Sequence, residues 1–406
     1  MDDADRQSRL NELAERLVGA KNLRGISVQL AGLRAAYVHP NRVLHYDDLV
    51  VALLFCFYNP TARSLRTIEG LSQSPQIMKH LSVDKICRST FSDGMACFDP
   101  ALLLPMIADL QAQIPDLRRK DNELCDIVRK ILAADGSYFS IYNDVAWAIL
   151  HTKRNGRKQA QIRLNLQIDV LDGVPRCLSV SGKAEGSETV AVAKLLEAGV
   201  IYLFDRNFVD FAIMKAVIER GSDFVIRART DAPAFIAQRD LPLLEKDKEH
   251  GVISDRIGHL PGSASAAAPE QLIRELILTD PQTGKSIRVI TTLLELPAYM
   301  IGLLYRQRWQ IELFFRWLKC FANIEHLISH SRTGLTIQFY VAVIGVLLMY
   351  VRSGRRLSKY AYSLLGLVAM GMATLEGIMP ILEQREREKD LERQRLARKK
   401  AAQKKV

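Results

Sequence analysis

Between Ile127 and Arg229 the hydrophobic period switches repeatedly between that of a strand and that of a helix. This alternation narrows the fold more than any other feature of the chain. "IVRKILAADGSYFSI" has strand character and brings Asp135 out after a short apolar run, at the end of a first strand. "QIRLNLQIDVLDGVPRCLSVSG" follows as two alternating stretches joined at Asp172-Gly173, a hairpin signal. "SETVAVAKLLEAG" is an amphipathic helix that Ser187 can cap and Gly199 can end. "VIYLFDRNF" is a short strand with Asp205 at its C-terminal end, "VDFAIMKAVIERG" a second helix and "SDFVIRAR" another strand. Strand, hairpin, helix, strand, helix, strand describes an α/β fold, a mixed sheet flanked by helices.

On either side the pattern is helical. Residues 1–124 place apolar side chains at three- and four-residue spacing, with breaks near His39 and Asn59. "SLRTIEGLSQSPQIMKHLSVDKICRSTFSDGMACF" reads as three short helices, the last capped by Ser89 or Thr90. They form either a helix-turn-helix unit on DNA or a plain bundle with surface arginines. Residues 230–290 are expected to form a β-rich insertion, with a loop at "HLPGSASAAAPEQ" and a hairpin turning at Asp280 to Lys285. Pro297 then opens a long helix. The run "FYVAVIGVLLMYV" has 13 residues where a bilayer crossing needs about 20, so it is expected to be a buried helix of a protein without a membrane partner. A helical segment to Leu382 and a charged tail from Glu383 complete four regions: 1–124, 125–350, 351–382 and 383–406.

The formal charge of +11 implies a polyanionic partner, nucleic acid being the commonest. The tail holds ten Lys/Arg against five Asp/Glu, so the body is basic without it. The tail is expected to be a frayed helix or a disordered arm. Six cysteines without a C-x-x-C pair argue against a disulfide framework or zinc ribbon and fit a reducing cytoplasm. The charged N-terminus "MDDADRQSRL" does not read as a signal peptide.

Cutting a phosphodiester at neutral pH requires an activated oxygen nucleophile and neutralised charge on the scissile phosphate and the leaving oxygen. Two divalent ions held by carboxylates supply both. Asp135, Asp205 and Glu312 form a candidate set, two at strand ends and one on a helix. Singly each has a plainer explanation: a turn at Asp135-Gly136, a cap at Asp205, a solvated acid at Glu312. The stretch "YRQRWQIELFFRWLK" places Tyr305, Arg308, Glu312 and Lys319 at offsets of 3, 7 and 14 residues. On one continuous helix those fall within an arc of roughly 60°. An i, i+4 Arg308–Glu312 pair explains two of the four. Phosphate contacts beside Glu312 account for the other three, the tyrosine as hydroxyl donor, the arginine as a two-pronged one and Lys319 as a cation.

Tyr-x2-Arg-x3-Glu-x6-Lys, with "DGS" around Asp135, "DRNF" around Asp205 and "TTLLELPAYMIGLLY" ahead of the seam, resembles bacterial insertion-sequence transposases of the DDE type. The resemblance covers roughly residues 60 to 350. It implies a ribonuclease-H-like fold with an insertion between the second Asp and the Glu. By the same resemblance Asp135, Asp205 and Glu312 would hold two Mg²⁺ ions, with Mn²⁺ substituting. Tyr305, Arg308 and Lys319 would position double-stranded DNA, both the terminal inverted repeats and the target. A homodimer on DNA is expected, in the bacterial cytoplasm and nucleoid-associated when bound. Relatives that excise through a DNA hairpin stack a flipped base on aromatic residues; here the insertion offers Phe235, and Trp309 lies on the helix.

Further candidates are Lys153, Arg154, Arg157 and Lys158, as a phosphate-tracking loop or a charge-protected sheet edge, and His326 with His330, whose spacing of four suits a metal or an ordinary helix face. The other functional classes are a transposase-derived DNA-binding repressor or inhibitor that does not cut, and a structure-specific nuclease.

Overall fold

The computed structural model describes residues 26–403, apart from 38–41, 59–63, 74, 76–80, 82–84, 115–122, 128, 142–144, 153–155, 157, 231–232, 263–267, 280–283, 321–326, 354–359 and most of 362–372. The chain divides into two compact units, one of residues 115–315 and one of residues 1–114 with 316–406.

The described chain opens with helices α1 (Ser27–Ala36), α2 (Tyr46–Tyr58), α3 (Leu65–Leu71), α4 (Arg88–Cys97) and α5 (Leu104–Gln113). Ser64 caps α3: its Oγ accepts from the Thr67 amide at 3.2 Å, and the Thr67 hydroxyl answers the Ser64 amide at 3.0 Å. Helix α4 starts ahead of the expected caps. Its N-cap is Cys87, with no side-chain bond, and Ser89 and Thr90 lie inside the first turn. The middle of the expected three-helix unit, at 76–80 and 82–84, lies outside the described residues.

Strand β1 (Ile131–Ser140) begins the second unit. It is followed by β2 (Ile149–Thr152), β3 (Lys158–Asp169), β4 (Pro175–Ser181), α6 (Glu188–Ala193), β5 (Ile201–Phe204), α7 (Phe211–Glu219) and β6 (Asp223–Ala228). β3 runs antiparallel to β1, and β4 antiparallel to β3 through the Asp172-Gly173 hairpin, where Gly173 sits at φ +75°. β5 and β6 then add in parallel, β1–β5–β6, by helical crossovers. An antiparallel trio extended by parallel strands on the far side of its first member is the mixed sheet that the alternation predicts and the ribonuclease-H-like order that the resemblance implies. β5, with all four residues buried, is apolar throughout because it is covered on both faces. One face packs Tyr202 and Phe204 against Phe208, Ile213 and Met214, so α7 is held by the same cluster that defines the sheet.

The sheet continues through β7 (Ile236–Asp240), α8 (Glu245–Glu249), β8 (Val252–His259), β9 (Ile273–Thr279) and β10 (Ser286–Thr291). β10 pairs antiparallel with β6, and the edge grows outward as β10–β9–β8–β7, giving one sheet of ten strands among the described residues. The segment 230–290 therefore extends the central sheet. Buried pairs stiffen it: Arg274 meets Asp255 at 2.8 and 2.6 Å, and Arg288 meets Glu275 at 2.6 Å.

Arg274 also donates to the carbonyls of Leu293, Leu294 and Leu296 at 3.3, 3.0 and 2.5 Å, which fixes the link into the next helix. That helix was expected to be continuous. It is two: α9 (Ala298–Gln307), with Pro297 at its N-cap, and α10 (Trp309–Cys320). At the junction the Arg308 amide donates to Tyr305 and the Ile311 amide to Arg308, both three-residue steps. Arg308 keeps helical dihedrals of φ −53° and ψ −32°. The break is thus a tightening of the turn, and three residues per turn advances the phase beyond the α value.

The helical unit is completed by α11 (Arg332–Ser353), against which α2, α4 and α5 pack, and by α12 (Leu375–Gln403). Residues Arg332–Val351 are long and apolar enough to cross a membrane, but 89% of that window is buried in the fold, as a core helix requires. Gly345 permits the close packing: a Cβ there would lie 2.7 Å from Cδ1 of Phe57. The charged tail to Gln403 is helical.

A candidate catalytic centre of crowded carboxylates

The β1–β5 pairing ends at Ala133 opposite Leu203. Asp135 and Asp205 each lie two residues further on, so the two acids stand in register beyond the last paired position of adjoining parallel strands. Neighbouring strands are spaced about 4.8 Å apart. Asp135 is not at a strand end, as expected, but in the middle of β1. The strand continues to Ser140 because β3 pairs it on the other side, with Asp135 opposite Leu166. Asp205 does act as a cap, its Oδ1 accepting from the Asn207 amide at 2.8 Å. The plain role and the chemical one coexist there, since a carboxylate has a second oxygen.

Arg308 links Glu312 to Asp135. The guanidinium donates to Glu312 Oε1 and lies 3.9 Å from Asp135 Oδ2. The i, i+4 pair is therefore real, and the same arginine also ties α10 to β1. Gln310 anchors the helix from its other side, its Nε2 donating to the Val170 carbonyl at 3.0 Å at the end of β3.

The fourth acid was not anticipated. Glu188, the first residue of α6, sits against Asp135-Gly136. Ser187 caps that helix as expected, accepting from the Val190 amide at 3.4 Å. Buried Arg163 holds the turn, donating to Asn165 Oδ1 at 2.8 Å and to the carbonyls of Gly186 and Ser187 at 3.1 and 2.9 Å. Gly136 makes the room: a Cβ there would stand 2.6 Å from Glu188 Oε1. The Asp-Gly dipeptide is therefore not a turn but a strand position kept open for a carboxylate. Nothing in the sequence marks Glu188 beyond an acid in a helix's first turn, a common favourable placement.

Burial foremost, then the charges of Glu188 and Asp205, push the Asp135 carboxyl up to about 8, against the Gly136 amide and Arg308. Burial foremost raises the Glu188 carboxyl as well, against its hydrogen bonds to Asp135 and the Gly136 amide, with Asp205's charge adding to the rise. These are the marks of anionic groups short of compensating charge. Oε1 of Glu188 is buried with no hydrogen-bond partner. The donor set is all hard carboxylate oxygen, which suits Mg²⁺ or Mn²⁺. Among the described residues, no three of His, Cys, Asp and Glu stand close enough to hold an ion in this arrangement. For Glu312 to join the aspartates, the Arg308 guanidinium has to move from between them.

The other candidates are placed as follows. Tyr305 is buried, its hydroxyl raised by burial against the pull of Arg308 and Arg227. Trp309 is 48% exposed at the start of α10. Lys319, half-buried, lies in the part of α10 that belongs to the helical unit. Lys158 is exposed at the start of β3, while Lys153, Arg154 and Arg157 lie outside the described residues, as does His326. Phe235 packs on the core cluster and under Arg256, 5.7 Å from the ring centre.

The family model of the transposase DDE domain matches residues 127–348, more than half of the chain. A protein of Sinorhizobium fredii named as a candidate transposase, y4zB, is 26% identical over 214 residues, which is 52% of this chain and 58% of the relative. The chain therefore spans less than two thirds of that relative's length. A Geobacillus stearothermophilus protein named as a candidate transposase of insertion sequence element IS5377 is 36% identical over 66 residues, 16% of this chain and 18% of that one. A chain of the piggyBac transposase synaptic complex with hairpin DNA overlays with a TM-score of 0.43 at 10% identity, covering 89% of this chain and 78% of that one. That likeness is too remote to carry residue correspondences.

Proposed function

The chain belongs to the transposase DDE domain family, and on that premise we propose that it is a metal-dependent DNA transposase that cuts at the ends of its element and joins the freed 3′-hydroxyl to target DNA. The observation that carries this is the register of Asp135 and Asp205 on adjoining parallel strands, with Arg308 linking Asp135 to Glu312. The three acids are the proposed ligands of two Mg²⁺ ions. When bound, such ions supply a nucleophile at neutral pH and charge neutralisation on the leaving oxygen.

The protein's own share is positioning and charge. Strands β1 and β5 hold Asp135 and Asp205 with little freedom, because both are continuous with the apolar core of the sheet. Arg308 pairs with Glu312 and lies beside Asp135, and its fork would suit a DNA phosphate. Tyr305 bonds to Arg308 and supports it, and Lys319 is proposed as a further contact to DNA phosphate. Trp309, 48% exposed, is the proposed stacking partner for a base. The basic charge draws the polyanion to the protein. Binding of double-stranded inverted-repeat ends as a homodimer is part of the same proposal.

The test uses a plasmid carrying the DNA that flanks the gene, with Mg²⁺. We expect nicking and joining by the wild-type chain. Asp205→Asn keeps the oxygen that caps Asn207, so it should fold and bind DNA while losing cleavage. Unchanged cutting by this variant rejects the assignment. Binding by the wild type without cutting would favour a repressor, and cutting without joined products a nuclease.

A further inference from the structure

We propose that Gln310 is a positioning residue for Glu312: its side-chain amide sets the rotation of α10 against the sheet, and with it the place of that acid relative to Asp135. The inference rests on the transposase reading above. Gln310 lies in the first turn of α10, ahead of Glu312 on the same helix. An amide nitrogen of this kind has two hydrogens to donate, and here both are used. Nε2 donates to the Val170 carbonyl at 3.0 Å and to Gln307 Oε1 at 2.5 Å. Gln307 is the last residue of α9. Val170 follows β3, and its own amide donates at 3.0 Å to the carbonyl of Ile131, where β1 begins. One amide group thus joins the helix before the junction, the helix after it and the start of the strand that carries Asp135.

The break between the two helices gives this tie its weight. Because the turn tightens at Arg308, α10 does not simply continue the phase of α9. The sheet unit takes in α10 only as far as Phe315, about two turns, so little helix is available to fix its own rotation there. Ile311, Phe314 and Phe315 are buried and seat those turns, but apolar burial is not directional and specifies rotation weakly. Arg308 adds its pair with Glu312 and its approach to Asp135. That contact is electrostatic, and the same guanidinium is a proposed contact to DNA phosphate. The Gln310 amide is neutral and bonded to a backbone carbonyl of the sheet unit, so its hold on α10 does not compete with DNA.

The experiment uses the full chain, a duplex carrying the DNA that flanks the gene, and Mg²⁺. The nicking rate at saturating DNA and the DNA concentration that half-saturates it are measured separately, well below the melting temperature. Gln310→Met keeps the length of the side chain and removes its donors. Its saturated rate should fall by about 10- to 100-fold, the scale on which misplacement remote from the chemistry acts, with half-saturation within about 2-fold of the wild type. Gln307→Met leaves the Val170 bond and removes the oxygen that orients the amide. It should lose less in the same direction, and it decides the matter if Gln310→Met does not fold. A purely structural hydrogen bond would lower the melting temperature and leave the saturated rate of the folded chain unchanged; that result overturns the inference. So does an unchanged saturated rate with weakened half-saturation, which would make Gln310 a DNA contact. In both cases the transposase reading stands. If the wild type does not nick the duplex, that reading fails and takes the inference with it.

Discussion

Replacing Gly136 by alanine sets two effects of opposite sign against each other. Glycine in a strand interior is ordinarily a weakness, and Gly→Ala at a compatible backbone stabilises by about 0.4–1 kcal/mol through the unfolded chain. The backbone here is compatible, since Gly136 is not among the glycines at positive φ. Space decides the matter. The new Cβ would stand 2.6 Å from Glu188 Oε1 and 2.9 Å from Arg163 Cδ, both closer than such atoms come. The glutamate ends a short free stem and can swing aside. The arginine stem cannot, because its side chain is buried and its guanidinium is held at four separate acceptors, the Tyr138 hydroxyl among them. Overpacking of this kind costs about 1–3 kcal/mol. Net of the entropic gain, Gly136→Ala should destabilise the sheet unit by about 1–2 kcal/mol, or roughly 2–8 °C in melting temperature for a unit of this size.

Thermal and urea unfolding of four chains test this: wild type, Gly136→Ala, Glu188→Ala and the double variant. Part of the clash disappears with the glutamate, so the double variant should be more stable than the sum of the single effects predicts, by at least about 0.5 kcal/mol. A higher melting temperature for Gly136→Ala, or additivity within that margin, would refute the claim that Gly136 is kept open for Glu188.

Two further perturbations probe the frame around the site. Arg274→Ala leaves Asp255 charged, buried and alone, and frees the carbonyls of Leu293, Leu294 and Leu296; a loss of about 3–5 kcal/mol in chemical unfolding is expected, and a loss under about 1 kcal/mol would show that the link into α9 is held by other means. Burial, with the charge of Asp169 behind it, pushes the Asp172 carboxyl up to about 6; the folded chain therefore binds that proton more tightly than the unfolded chain, and stability should fall as pH rises from about 4 to about 6, then level off. Asp172→Asn keeps an oxygen for the Val174 amide and should flatten that segment of the melting-temperature profile; an unchanged slope would place the titration elsewhere.

Much of the sheet was legible because strand and helix periods differ so sharply between Ile131 and Ala228. The hairpin glycine, the Ser187 cap and the apolar β5 are local signals with local causes. Burial of the second face of β3 was not legible. Arg163, Asn165, Gln167 and Asp169 alternate with Ile162, Leu164, Leu166 and Ile168 as on a strand with one face to water, yet all four polar residues are buried. Two bond to the segment around α6, Arg163 to the Gly186 and Ser187 carbonyls and Gln167 to the Leu195 carbonyl at 3.1 Å, while Asn165 donates to the Ser181 hydroxyl of β4 at 2.7 Å and Asp169 accepts from the Leu171 amide at 2.9 Å. Polarity in sequence reports what a side chain needs, and a neighbouring backbone can meet that need as well as water can.

The same limit explains which parts of the candidate site could be read. Asp205 follows an apolar run directly, so its position is a matter of strand length alone. Glu312 depends on helical phase, and the helix tightens at Arg308; the acid is nevertheless tied to Asp135 by that arginine, and Gln310 pins α10 to the end of β3. Glu188 depended on neither. What places it is the absence of an atom on a strand 52 positions earlier and an arginine whose hydrogen bonds all go to other groups. An absent side chain leaves no hydrophobic or charge pattern in the sequence. A site assembled by vacancy and backbone contact therefore becomes visible only when the strands are laid side by side, and it is there that a search for further acids in chains of this kind should begin.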